Sequence, residues 1–466
     1  MAFETTYYLT GLLLKRSLGL VYLLAFIAVI HQYLPLLGKN GLLPIDRYIK
    51  RSNFKERPSL FFLMPQDSAI LIFGWLGVAL SLMVLFGLPE RFGIWVSFSV
   101  WVLLWLLYLS FVNVGQIFYS FGWESMLLEA GFLAIFLDGG NVTIWLYRWF
   151  LFRVMFGAGM IKIRGDKCWR DLTCLYYHYE SQPIPNPLSW YFHHLPKPVH
   201  RFGVLVNHLV ELAVPFLYFM PQPIAGIAGA ATILFHGWLF MSGNFAFLGF
   251  LTMILCISTF SDAQLIWLFG DSWGMLHHSE VLSTLTYGVA ALVAALSIKP
   301  IRNMFSRRQI MNASFDPFHL VGTYGAFGSI TRPRYELIIE GSWDGVHWQA
   351  YEFWGKPGDL KRAGIQIAPY HLRLDWLMWF AAMSSPYQHP WLFNLIGKLM
   401  HNDRALLRLF RTNPFKNRPP VQIRVQRYVY RFTTPAERAS SGNYWHREFI
   451  EDFLLTSPTI PGGVQA

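Results

Sequence analysis

Charge is what this chain has least of. Of its 466 residues, 14% are Asp, Glu, Lys or Arg, where an ordinary soluble domain carries about 25%. From Leu212 to Ser261 none of those four residue types occurs, a length sufficient for two bilayer crossings of roughly 20 residues each. The deficit is concentrated in the first 300 residues, which excludes an unusually large soluble core. Cysteine is scarce as well, with three in all, so a disulfide-rich scaffold is excluded. Cys256 lies inside an apolar run and reads as a packing residue. Cys168 and Cys174 are six apart; a continuous helix would separate them by about 9 Å along its axis and turn them to different faces. A disulfide needs Cα atoms within about 7 Å. Either these thiols stay free or "CWRDLTC" bends, and the residues leave both open. There is no GxxxxGK[ST] loop for a nucleotide, no metal-ligand spacing, no internal repeat and no low-complexity segment; no cofactor or metal is called for.

What the chain has instead is apolar, at 54% of residues. Candidate membrane spans fall at 17–37, 68–88, 92–112, 117–137, 143–163, 204–220, 223–241, 245–261 and 281–298, and the expectation is six to nine crossings. Two candidates carry acids: 117–137 contains Glu124 and Glu129, and 204–220 contains His208 and Glu211. The first span is expected to act as an uncleaved insertion signal. The fold class is therefore mainly α, a polytopic membrane bundle over 1–300. A smaller α+β domain over 301–466 follows. There "RYELIIEGSWDGVHWQAYEFW" alternates around "WDG" as a β-hairpin, "LDWLMWFAAMSS" and "PWLFNLIGKLMHNDRALLRLF" read as helices, and "VQIRVQRYVYRFTT" reads as a strand. Trp343, Trp348, Trp354, Trp376, Trp379 and Trp391 in this part point to packing at the membrane interface. The last ten residues, "SPTIPGGVQA", read as a frayed tail. The formal charge of +11 does not argue for nucleic acid; the basic residues sit in short loops and the last third, where they meet lipid head groups or set topology. Lys15 and Arg16 compete in that respect with the basic loop "KNGLLPIDRYIKRSNFKER" and the basic exit "KPIRNMFSRR", so charge counting leaves the sidedness open.

One polar insert interrupts the apolar part, at about 164–203. Charges packed this densely need partners or water, and "YESQPIPNPLSWYFHHLPKP", with five prolines, cannot be helical throughout. A stiff polar and aromatic segment of this kind suits a recognition surface or a lid. Within it Arg164, Asp166, Arg170 and Asp171 are expected to form two ion pairs. Lys162 ends an apolar run; a snorkelling lysine is the plainer expectation, a desolvated base the sharper one. Asn207, His208 and Glu211 share a helix face, and with Asn244 they suit an interhelical hydrogen-bond network. Glu124 and Glu129 point about 140° apart around a helix, so they are no acid–base pair; Glu129 is placed to meet Arg148 or Arg153. In "PYHLRLDWLMWF", Trp376, Trp379 and Phe380 read as core, and Tyr370, His371, Arg373 and Asp375 as candidates for touching a partner. Asn141 and Asn312 head N-x-[ST] sequons, which fit glycosylation only in a eukaryote and on a lumenal side.

The blocks "RGDKCWRDLTCLYYHYESQPIPNP", "HRFGVLVNHLVELAVPF", "SGNFAFLGFLTM", "KPGDLKRAGIQIAPYHLRLDWLMWFAA" and "NPFKNRPP" closely resemble the lipase maturation factor family, in the family's order and over about residues 113–450. The resemblance implies an integral protein of the endoplasmic reticulum membrane in a eukaryote, or of the inner membrane in a bacterium. It implies a folding and assembly role for dimeric secreted lipases such as lipoprotein lipase, with a link to redox homeostasis. The client protein would then be a secreted lipase or another exported protein. It would meet the insert residues Arg164, Asp166, Cys168, Trp169, Arg170, Asp171, Cys174, His178, Glu180, Gln182 and Asn186 on the lumenal or periplasmic side. A shorter stretch, "FGAGMIKIRGDKCW", is similar to the membrane part of the vitamin K-dependent gamma-glutamyl carboxylase. There Lys162 falls near the proposed base, and Ile161 stands where that enzyme has a second lysine. This motivates an alternative, a membrane enzyme with a cavity lined by Lys162, His208, Glu211 and Asn244.

Overall fold

The computed structural model describes residues 5–137, 140–270 and 279–455; the tail read as frayed lies outside them. The chain opens with a 30-residue helix, α1 (Tyr8–Leu37). Then come α2 (Asp67–Phe86), α3 (Ile94–Val114), the shorter α4 (Gly122–Ile135) and α5 (Asn141–Arg164). The insert contributes the small helices α6 (Lys167–Arg170) and α7 (Leu175–Ser181). Next, α8 (Lys197–His208) runs through a π-helical turn (Leu209–Ala213) into α9 (Val214–Leu217). The apolar part ends with α10 (Ile224–Ser242), α11 (Leu248–Leu255), α12 (Asp262–Phe269) and α13 (Glu280–Phe305).

Six of these helices (α1, α2, α3, α5, α10 and α13) are long and apolar enough to cross a membrane, and a seventh crossing is possible where Leu248–Thr259 and Asp262–Phe269 meet at 114°. Three expected spans therefore differ from simple crossings. The candidate 117–137 becomes a 14-residue helix, α4, buried almost throughout. The candidate 204–220 is broken by the π-turn, and 245–261 belongs to the bent pair. Glu124, Glu129 and Glu211 explain the first two: a carboxylate forbids contact with hydrocarbon, so those segments sit among other helices. Lipid-facing surface falls instead to α2, α10 and α13, which leave Trp75, Leu234 and Leu285 exposed.

The chain alternates between two ends of the bundle. At one end the start of α1 meets the start of α12, where Tyr8 and Thr10 amides donate to Asp262 at 2.7 and 3.0 Å. At the other end lie Gln32 near the close of α1, the start of α4, the close of α5 and the close of α13, together with the insert and the described residues after 306. That later part holds a four-stranded antiparallel sheet. Its strands are β1 (Arg334–Ser342), β2 (Gln349–Ala350), β3 (Gln422–Phe432) and β4 (Trp445–Leu455), in the order β2-β1-β3-β4. The expected hairpin is β1–β2, paired at Glu340↔Ala350 and Gly341↔Gln349; its turn uses Gly345 at φ +76°, a conformation that glycine adopts without strain. The helices α14 (Arg373–Ala382) and α15 (Pro390–Met400) complete it, with α14 packed on β1. The edge strand β4 was not foreseen as a strand; two register shifts interrupt its pairing with β3, as bulges do on edges that must not pair further.

Candidate functional site

The insert begins where α5 ends. Arg164 donates to the Met304 carbonyl and to Gln309 Oε1. Asp166 caps α6 through the Cys168 amide at 3.0 Å and grips Arg332 at 2.8 and 2.9 Å. The Arg332 hydrogen bond, ahead of the other contacts, pulls the Asp166 carboxyl down to about 2. The second pair is Lys167 with Asp171 at 3.7 Å. The two ion pairs expected among Arg164, Asp166, Arg170 and Asp171 thus recruit Arg332 and Lys167 instead, because a four-residue helix turns the four side chains apart. The bend that the cysteines required is present. Leu172 takes φ +58°, the Cα atoms of Cys168 and Cys174 stand 4.8 Å apart, and a disulfide joins them. Both cysteines are buried with Trp169, whose indole donates to the Phe327 carbonyl.

The second half of the insert is tied to the C-terminal part. The buried Arg334 guanidinium donates to the carbonyls of Glu180, Gln182 and Pro183 while pairing with Glu336. Glu180 accepts the Phe432 amide at 2.7 Å; burial raises its pKa. Gln182 donates to the Tyr179 and Ser242 carbonyls and to Ser189 Oγ. Asn186 donates to the Met241 carbonyl. Asn244 bridges the same junction, donating to the carbonyls of Ile184 and Ile365 and accepting from the amides of Ile367 and Ala368.

Tyr370, His371, Arg373 and Asp375 hold the other side of the junction. Gln32 on α1 donates to the Tyr370 hydroxyl and the His371 carbonyl and accepts from the Arg373 amide. Arg373 pairs with Glu124 at 2.6 Å, Tyr108 donates to the same carboxylate, and the guanidinium lies 3.5 Å from the Tyr119 ring centre. Asp375 accepts from the amides of Gly355 and Lys356. His371, Arg373 and Asp375 are each at most 1% exposed, so their partners are internal. Trp376 is core, as expected, whereas Phe380 is 39% exposed. Glu129 meets Arg153 rather than Arg148, and also accepts from the Gly322 amide and Tyr324 hydroxyl.

Beneath the insert lies a cavity of about 1050 Å³, bordered by α5, the insert, α8, α10 and α11. Its wall is mostly apolar, and Lys162, Asn207, Glu211, His178 and His236 are among its polar side chains. Gly159 brings α5 against the π-turn: a Cβ there would stand 2.6 Å from Leu212 and 3.0 Å from Glu211. That close approach lets Lys162 reach Glu211, and both are buried as an ion pair. A π-turn is often found at functional sites; here it sets where Glu211 faces. Of the four residues expected to line an enzyme cavity, Lys162 and Glu211 converge. His208 instead bonds the Trp169 carbonyl at 3.0 Å, and Asn244 belongs to the junction. Burial, with help from Lys162, pushes His178 down to about 4. Among the described residues no three His, Cys, Asp or Glu side chains gather as a metal set. The residues that sequence reasoning missed are Arg334, Glu336 and Lys356, a buried cluster in which Lys356 Nζ lies 2.9 Å from Glu336. Missed too were Gln32 and His236 as neighbours of the junction and cavity, while His178, expected among the insert residues that meet a client, lies buried on the cavity wall. Gln32 carries a signal of its own, an amide deep in an apolar run, which must find partners.

Apolar helices with buried carboxylates, and a polar insert stitched to an antiparallel sheet at one end, define a polytopic integral membrane protein followed by a helix-and-sheet C-terminal part. The family model for the lipase maturation factor transmembrane domain matches residues 9–267, and the one for the lipase maturation factor C-terminal domain matches residues 320–455. Lipase maturation factor 1 of Bos taurus is 42% identical, with 96% of this chain and 89% of that protein covered. The human protein of that name is 41% identical over 96% and 87%. Human lipase maturation factor 2 is 28% identical over 96% and 83%. No solved structure matches. The chain belongs to the lipase maturation factor family.

Proposed function

We propose that this protein assists the maturation of a secreted lipase as a membrane-embedded assembly factor, and that the client meets the outer rim of the insert. The observation that carries the reading is the junction. Arg334, Glu180, Gln182 and Asn244 fuse the insert and the C-terminal part into one extramembrane body, with its polar groups turned inward. What remains for a client is the rim: Lys167, Arg170 and Asp171, the apolar Leu188 and Tyr191 (41% and 51% exposed), and Arg332. Such a surface binds passively, holding a partly folded lipase in a state competent to assemble. The sealed cysteines, 3% and 0% exposed, support this over thiol exchange, which starts with a thiolate reaching a sulfur atom.

The insert side faces the lumen of the endoplasmic reticulum in a eukaryote, or the periplasm in a bacterium. A disulfide on that side supports the orientation, since such bridges persist in oxidising compartments. Asn141, at the start of α5, and Arg164, at its close, mark opposite ends of a 24-residue helix, about 36 Å long. In a glycosylating host, Ala439→Asn on the exposed short helix beyond β3 (Pro435–Ser441) completes a sequon with Ser441 and acquires a glycan, while native Asn141 does not. The reverse result overturns the orientation. The function is tested in cells lacking their own maturation factors. Expression of this chain raises the activity of a co-expressed secreted dimeric lipase, and Leu188→Asp with Tyr191→Asp removes the gain at unchanged abundance. No gain over empty vector sinks the reading. The convergence of Lys162 and Glu211 favours a second reading, catalysis in the cavity; loss of all maturation in Lys162→Met at normal abundance and normal client binding would support it.

A further inference from the structure

The cavity supports an inference that does not depend on any client. Lys162 and Glu211 neutralise each other across its wall, so no net charge waits there for a charged headgroup. What is left over is acceptor capacity. Glu211 Oε2 and Asn207 Oδ1 are buried and receive no hydrogen bond among the described residues, on side chains belonging to residues 4% and 7% exposed. A buried acceptor without a donor costs about 1–3 kcal/mol, so the site is short of a donor-bearing guest. The way in is apolar. Val199 and Phe202 on α8 and Leu234 and Trp238 on α10 both line the cavity and are themselves 43–75% exposed. α10 is one of the helices that can cross the membrane, so on that side the mouth adjoins the apolar face of a candidate span. The volume, about 1050 Å³, is at the upper end of the roughly 300–1,000 Å³ that ligand pockets span.

We propose that this cavity binds a neutral membrane lipid with a hydroxyl headgroup, its hydroxyls donating to Glu211 Oε2 and Asn207 Oδ1 and its chain lying along the apolar wall between α8 and α10. A fatty acid would set a second carboxylate beside Glu211, and a phospholipid would bring a phosphate to a site whose lysine is already paired; both are disfavoured by like charge.

The test uses the full chain in nanodiscs and a monoacylglycerol carrying a photoreactive group in its acyl chain. Labelling is expected on α8 and α10. Unlabelled monoacylglycerol competes; its di-O-methyl ether and the free fatty acid compete at least tenfold more weakly. Asn207→Leu, whose side chain makes no hydrogen bond among the described residues, lowers labelling about tenfold. Ala231→Phe, which fills the wall, lowers it further. Thermal unfolding identifies a variant that has merely failed to fold, and Asn207→Leu keeps the test alive if Ala231→Phe does. Labelling outside the cavity, equal competition by the ether, or indifference to Asn207→Leu overturns the proposal. Lipase yield is no part of the readout, so the outcome is separate from that of the assembly role.

Discussion

On α4, Glu129 is met from every side: Arg153 pairs with it, the Gly322 amide and Tyr324 hydroxyl donate to it. In the π-turn after α8, Glu211 meets Lys162 through one oxygen and leaves the other bare. Both are glutamates buried with a cation in an apolar bundle. They differ in what surrounds them, packed protein in one case and a cavity in the other. Where the hydrogen-bonding capacity of a buried carboxylate is used up inside the chain, the charge is a structural fastener. Where some is left over and faces empty space, the same chemistry marks a place for a guest. The largest expected effect tests the first half. Arg153→Met leaves Glu129 buried without its cation and costs about 3–5 kcal/mol, read as loss of monodisperse protein after detergent extraction and a steep fall in unfolding temperature. Adding Glu129→Leu recovers much of it. Lys162→Met is milder, about 1–3 kcal/mol, because Glu211, although buried, borders a cavity with room for water beside its carboxylate. Equal losses for the two would break the comparison.

The next effect separates fastener from function within the insert. Cys168→Ser with Cys174→Ser opens a loop of seven residues counted inclusively, for which chain entropy gives roughly 2 kcal/mol. Thermal unfolding should drop accordingly, with lipase maturation falling only as abundance falls. Maturation lost at full abundance would instead make the thiols chemical participants.

Much of this architecture was legible in the residues, for physical reasons. The apolar runs, the absence of charge from Leu212 to Ser261 and the alternation around "WDG" follow from local pattern; the hairpin and most of the long apolar helices formed as expected, but within the charge-free stretch only 223–241 became a simple candidate span. The position of the insert was legible too, because charge density marks a wet boundary. The partners were not. Arg373 and Asp375 stand beside a recognisable helix start, but that Glu124, some 250 residues earlier, answers Arg373 depends on long-range docking that no spacing records. For the same reason 117–137 read as a span. Its average hydropathy suits a membrane, while its two glutamates demand protein on all sides, and only the fold decides between them. The cavity was half legible: Asn207 and Glu211 share a face by helical spacing, yet the π-turn that turns His208 to the Trp169 carbonyl is invisible in sequence.

A smaller effect probes the junction by acid. Burial pushes the His371 imidazole down to about 4, against the raising influence of Glu124. The folded pKa thus lies below the ordinary value near 6.5. Between those values the unfolded chain holds more protons, so stability is complete above about pH 6.5 and declines as pH falls toward 4. For one such histidine the loss at pH 5.5 is roughly 1 kcal/mol. His371→Phe should flatten the fall in unfolding temperature between pH 7 and 5.5 by that amount, leaving the part due to His178, His193 and His319, which burial holds equally low. An unchanged slope would mean that the junction opens to water before the histidine takes a proton.

The smallest effect is expected at the rim proposed to meet the client. Asp166 and Arg332 form a two-pronged pair at the rim, but the Arg332 side chain is 49% exposed, and exposed pairs contribute about 0–1 kcal/mol. Asp166→Asn keeps an oxygen to cap α6 and loses only the charge. The charge's contribution is present above the ordinary carboxyl pKa near 3.8 and vanishes as pH falls through about 2. It should fade in high salt as well, because screening weakens exposed charges. Unfolding measurements at pH 7 should therefore show a shift barely above error, and none in molar salt. A loss comparable to that of Arg153→Met would place the rim among the fasteners of the fold, and the surface offered to a client would have to be sought elsewhere. A negligible loss accompanied by reduced lipase maturation would instead show a charge that the fold does not need and a partner does.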